Sequence, residues 1–148
     1  MDKIAVPKKR DWVYHYVSNN VPCQCCGKIE ESFPEYVCDA HTHGMNKYNH
    51  LEFQVVLDYG PQETGRLLNT MGDRVRDGES FKDGDEIKGL YLDCSVFLKE
   101  VRDASNNKVL RLIIPDKENR LPEQSTAPYT WQTYDTPALY KATSHPRS

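Results

Sequence analysis

Four side chains in the first third of the chain have the chemistry and spacing of metal ligands: Cys23, Cys26, Cys38 and His41. Together they read C-x₂-C-x₁₁-C-x₂-H. Each short loop can curl so that two donors point inward. Three thiolates and one neutral imidazole would then complete the tetrahedron of a structural zinc site. Gly27, directly after Cys26, would ease the first curl. Cys25 and His43 are alternates, Cys25 for either neighbouring cysteine and His43 for His41. A regular strand over residues 35–42 would set His41 and His43 on one face and Cys38 on the other, which favours the histidine pair and works against Cys38. The plainer alternative is free thiols and polar histidines in a surface loop. Zinc is the cofactor this spacing predicts, in a structural role ahead of a catalytic one.

Other reactive groups are more scattered. Cys38 beside His41 or His43 would supply a thiolate nucleophile, but no nucleophile elbow or oxyanion-hole motif accompanies it. Cys94 falls on the apolar side of an alternating run, where a cysteine serves as a small hydrophobe. His50 and Glu52 are two residues apart and share one side of a strand, so they are the catalytic candidates. Beside a metal with an open position, Glu52 would orient or deprotonate a bound water. The competing reading is a hydrogen-bonding pair at the strand mouth. Asp83, Asp85 and Glu86 are hard oxygen donors, yet DGDE lacks the spacing of an EF-hand and reads as a solvated turn. No phosphate-binding glycine motif is present; Gly78 and Gly84 punctuate turns.

Lys8, Lys9 and Arg10 precede Trp12, Tyr14 and Tyr16, a pattern that would let cations and rings stack the bases of a single strand. The charge works against it: 19 Lys and Arg face 22 Asp and Glu, a net of -3. A binder that neutralises many phosphates needs the opposite balance.

The elements that must position these groups follow from hydropathy. Residues 12–17, WVYHYV, are aromatic and β-branched and predict a strand with Trp12, Tyr14 and Tyr16 on one face. Residues 35–42 predict a second extended piece leading to Gly44. In LEFQVVLDY, Leu51, Phe53, Val55, Leu57 and Tyr59 alternate with Glu52, Gln54, Val56 and Asp58, the pattern of a half-buried strand. Pro61 then opens the best helix, with Thr64, Leu67, Leu68, Met71 and Val75 in one narrow stripe. Gly65 and Gly72 flank the stripe and imply a close neighbour; Gly78 stops the helix. Residues 90–101 alternate Leu90, Leu92, Cys94, Val96 and Leu98 against Tyr91, Asp93, Ser95, Phe97 and Lys99, predicting another strand. The turn at residues 103–107 should pair it antiparallel with a strand over residues 109–114. Trp131 and Tyr134 are expected to anchor part of the proline-rich tail, with the last eight residues frayed.

The expected architecture is α+β: a mainly antiparallel sheet, one long helix packed across it and a cysteine-rich N-terminal loop. A length of 148 residues suits one domain with a real core, ordered over about residues 12–134. No run approaches the ~18 apolar residues of a membrane span, and no apolar segment follows the N-terminal charges as a secretory signal requires. Five cysteines, an odd number, suit a reducing compartment, so a cytoplasmic protein is expected.

Taken in order, WVYHYV, Thr42–His43–Gly44–Met45, HLEFQVVL and PQETGRLLNTMGDRVRDGESFKDG resemble the bacterial domain-of-unknown-function family numbered 4262. Its members carry a Thr-x-Gly-aliphatic element, a His-Pro-Glu-Leu entry to a strand, and a Pro-x-Glu helix ending in an Arg-x-Gly-x-x-Phe turn. IIPDKENRLP is similar to the family's aliphatic-Pro-Asp ending. The likeness spans about residues 12–131. Here the stretch reads His50-Leu51-Glu52, without the proline, and PCQCCG is an addition. The resemblance implies a small α+β domain and no particular activity. The expected role is a zinc-stabilised binding module for a small molecule or protein partner. A metal-dependent hydrolase and a single-stranded nucleic-acid binder are the alternatives.

Overall fold

The computed structural model describes residues 10–18 and 33–141. Lys8, Lys9, Cys23, Cys25, Cys26 and the tail from residue 142 lie outside the described residues. Six strands form one sheet: β1 (Val13–Ser18), β2 (Val37–His43), β3 (Glu52–Leu57), β4 (Glu86–Ile87), β5 (Val96–Arg102) and β6 (Lys108–Ile113), in the order β1-β2-β3-β6-β5-β4. Neighbours run antiparallel except β3 and β6, which are parallel at the centre. A parallel pair needs a long crossover, and here it carries the helix α1 (Pro61–Arg76) together with β4 and β5. The fold is α+β, a mostly antiparallel sheet with one long helix against it.

Alternation sorts the sheet into two faces. Phe53, Val55 and Leu57 of β3, Cys38 and Ala40 of β2, Val96 and Leu98 of β5, and Leu110 and Leu112 of β6 turn toward α1. The expected helix stripe meets them, with Thr64, Leu67, Leu68, Met71 and Val75 all buried. Both helix glycines are places of close approach. A Cβ on Gly65 would lie 2.3 Å from the Tyr14 hydroxyl, and one on Gly72 would lie 2.5 Å from the Trp12 ring. The aromatic face of β1 therefore packs against a helix and is not offered to stack bases; Trp12 is 5% exposed, with Nε1 donating to Asn69 Oδ1 at 3.0 Å.

The other face is covered by the C-terminal segment, two 3₁₀ turns (Pro122–Gln124 and Tyr129–Thr133) and the short α2 (Thr136–Lys141). Val37, Val56, Phe33 and Leu139 make a second apolar cluster there, with Trp131 and Tyr140 against it. Trp131 anchors as expected, whereas Tyr134 stays 47% exposed. Arg111 of β6 ties the segment down. Its guanidinium is fully buried and donates to Gln54 Oε1 (2.8 Å), the Gln132 carbonyl (2.9 Å), the Tyr134 carbonyl and Thr136 Oγ1 (3.2 Å).

One predicted strand is half wrong. Only Val96–Arg102 is extended; residues 90–95 bend, and Leu92 stands fully in solvent. Alternation supplies a period but no neighbour. The edge strand β4 is two residues long and pairs Glu86 and Ile87 only with Phe97 and Val96, so nothing holds residues 90–95 in a ladder.

Candidate functional site

The bent stretch is one wall of a cleft of about 380 Å³. Four separate parts of the chain build it. Tyr59 comes from the loop leaving β3 and Glu63 from the first turn of α1; Tyr91, Asp93 and Cys94 come from the bend. Residues 114–117 and Asn119 follow β6, and Tyr129 closes the far side. Its place follows from the topology. The chain leaves β3 into α1 and leaves β6 into the C-terminal segment, so the two exits part beyond the carboxyl ends of the parallel pair. That divergence opens a crevice where open sheets with parallel strands commonly seat ligands.

A hydrogen bond fixes one wall. The Tyr91 hydroxyl donates to Glu63 Oε2 at 2.9 Å, and the Tyr59 phenol lies beside that of Tyr129. Burial, then these neighbours, raise Tyr59 and Tyr91 above the usual phenol value, so both rings stay neutral. Arg66 grips Glu63 with Nε (2.9 Å) and Nη2 (2.7 Å), which holds that carboxylate below its ordinary value, and stacks 5.3 Å above the Tyr91 ring. On the opposite wall the Ser125 hydroxyl, with Arg120 and backbone N–H groups, lowers Asp116 to about 2. A smaller hollow of about 150 Å³, also lined by Asp116, Lys117 and Tyr129, adjoins the cleft. Burial and Asp93 raise Cys94, leaving it a neutral thiol and a poor nucleophile.

The zinc site predicted from C-x₂-C-x₁₁-C-x₂-H is overturned. Cys38 lies on the α1 face, fully buried, its Sγ 3.7 Å from the Val55 carbonyl. His41, three residues on, points to the opposite face, so the pair meant to close the tetrahedron is split by the sheet. Burial also holds the Cys38 thiol well above its ordinary value, against the thiolate a metal needs. Among the described residues no group of three or more His, Cys, Asp and Glu side chains converges to hold an ion.

His41 and its alternate His43 instead gather with His15 across the β1–β2 pair, ring centroids 5.5 Å and 6.0 Å from that of His15. His41 Nδ1 lies 3.2 Å from Asp39 Oδ1. Asp39 is buried and also accepts from Gln54 Nε2 (3.1 Å) and the Tyr140 hydroxyl (2.8 Å). Burial, the largest single influence, would lower His41 and raise Asp39. The mutual hydrogen bond and charge attraction, with the Tyr140 and Gln54 bonds on Asp39 and the Asp103 and Glu52 charges near His41, together outweigh it and reverse both shifts.

His50 and Glu52 are engaged with different partners. His50 Nε2 accepts from the Phe81 N–H at 2.9 Å. The Glu52 carboxylate accepts from Thr42 Oγ1 (2.8 Å) and from the Gly44 and Met45 N–H groups (3.1 Å each), closing the turn after β2. Asp83 and Asp85 cap backbone N–H groups of Glu100 and Lys82, as a solvated turn does.

Compared with known proteins, the chain matches no family profile, no curated protein and no solved structure. Among the described residues no helix is long and apolar enough to cross a membrane.

Proposed function

We propose that the protein is a binding module whose ligand is a small molecule seated in the tyrosine-lined cleft. The observation that carries this reading is the cleft itself: about 380 Å³, mainly apolar in surface with three tyrosines in its walls, at the carboxyl ends of the parallel strands. Its size falls in the range of small-molecule sites, and its walls combine apolar surface with a few polar groups, the usual composition of such sites. The hydrogen bond between Tyr91 and Glu63 preorganises one of those walls, so little side-chain order remains to be lost there on binding. Binding is favoured over catalysis because the one thiol in the cleft is held protonated. Two stretches through which the chain resembles family 4262, the Pro61–Gln62–Glu63 helix start and Ile114–Pro115–Asp116, meet at this cleft.

A ligand-observed NMR screen of a fragment library against the full chain tests the reading. Cys94→Trp would fill the cleft, and Val13→Trp, on exposed β1, is the control. Hits lost in the first variant and kept in the second are expected. Hits equally retained by both would refute the site.

A further inference from the structure

We propose that the cleft selects an organic cation, an ammonium or guanidinium group carried on an apolar or aromatic body. This rests on the binding reading above and adds the ligand's charge. Three observations converge on it.

The first is what the walls present. The phenol hydrogen of Tyr91 is engaged by Glu63 within the protein, so this residue shows the cleft a ring face more than a donor, and the rings of Tyr59 and Tyr129 stand beside it. A ring face carries negative quadrupolar charge and attracts cations, most strongly where water is excluded.

The second is the formal charge. Glu63, Asp93 and Asp116 line the cleft against the single ammonium of Lys117. Glu63 and Asp116 are matched by Arg66 and Arg120 behind them. Asp93 makes no hydrogen bond or ion pair among the described residues and stands exposed at the mouth. It is therefore the carboxylate left for a ligand's charge. An anionic ligand would meet this unmatched carboxylate, while the two others are already matched by arginines.

The third is an interaction the protein already makes with the same wall. The Arg66 guanidinium, held by Glu63, lies 5.3 Å over the Tyr91 ring. A cation on a tyrosine face beside a carboxylate is thus already present on one side of Tyr91. The cleft offers the same pairing, ring and carboxylate, to a ligand.

Three probes with one phenethyl body and different charge separate the possibilities: phenethylamine, phenethyl alcohol and hydrocinnamate, each titrated into the full chain and followed by amide chemical shifts. Phenethylamine should bind about tenfold more tightly than the alcohol, the difference a cation–π contact supplies. Hydrocinnamate should be the weakest. Asp93→Asn should weaken the amine about threefold to fivefold and leave the alcohol unchanged, as expected for an exposed ion pair. Added salt should do the same. Tyr91→Phe should keep amine binding, because the ring remains, while Tyr91→Leu should lose about tenfold. Equal binding of amine and alcohol at the cleft, or preference for hydrocinnamate, would overturn the choice of a cation while leaving a small-molecule cleft in place. Failure of all three probes and of the fragment library to perturb the cleft would remove both.

Discussion

Gly72 and Gly65 make a matched pair of tests at the scale of single residues. In both, an added methyl would relieve roughly 0.5–1 kcal/mol of helix-interior penalty. At Gly72 that methyl meets the Trp12 ring at 2.5 Å, and Trp12 is fixed by Asn69, by the edge of Tyr48 and by Arg76 over its face. At Gly65 it meets the far end of Tyr14, held by one long hydrogen bond of 3.4 Å from its hydroxyl to the Pro61 carbonyl, so the ring can swing aside at the cost of that bond. Gly72→Ala should therefore destabilise by about 1–3 kcal/mol net, whereas Gly65→Ala should lie close to wild type. Urea unfolding of both variants reads the difference; equal midpoints would contradict the packing described. The Asp39–His41 pair gives a pH test. His41 is raised above its ordinary 6.5, so its contribution is complete below that value and is lost as pH rises through the folded value. Asp39 is lowered from 3.8, so its contribution is complete above that value and is lost as pH falls. The pair stabilises most between those two ordinary values. The wild-type urea midpoint should fall more steeply on the alkaline side of this window than that of His41→Gln; parallel profiles would count against the pair. Cys38 carries the lesson about reading ligands from sequence. Spacing counts residues, but a strand turns positions three apart to opposite faces, and only the strand could decide whether Cys38 and His41 meet.

Among the elements, those whose pattern agrees with their neighbours were legible. The stripe of α1 and the turn between β5 and β6 each state a local rule that the packing obeys. β3 is a strand, as its alternation predicts, but it is buried on both faces rather than half-buried, because Gln54 and Val56 are covered as well. Residues 90–95 follow the same alternation and disobey it, because pairing needs a partner strand that the edge does not supply. The parallel register of β3 with β6 was equally hidden, since residues about sixty apart give no local signal of it. Arg111 is one polar position in the apolar run VLRLII, and its role depends on the segment that returns over it. Replacing it by Met would strand the Gln54 oxygen and two carbonyls in the core and leave buried Asp39 without its nearby positive charge. Arg111→Met should cost about 3–5 kcal/mol, in the range measured when one member of a buried polar pairing is removed. Limited proteolysis should then cut within residues 117–130 first. A variant as stable and as resistant as wild type would mean the guanidinium does not hold the C-terminal segment.

For the molecule as a whole, the site arises from topology more than from any motif. Tyr59, Tyr91, Asp116 and Tyr129 belong to four stretches that meet because β3 and β6 run parallel and release the chain at the same end of the sheet. No spacing rule joins them, which is why the sequence directed attention to the cysteines instead. The central claim is that this crevice is where the protein meets its ligand. Amide chemical-shift mapping of the full chain during titration with the hits of a fragment library tests it most directly. The account predicts that hits move Tyr59, Glu63, Tyr91, Cys94, Lys117 and Tyr129 together and leave the His15–His41–His43 face still. Hits gathering on that histidine face, with the cleft amides unmoved, would contradict it.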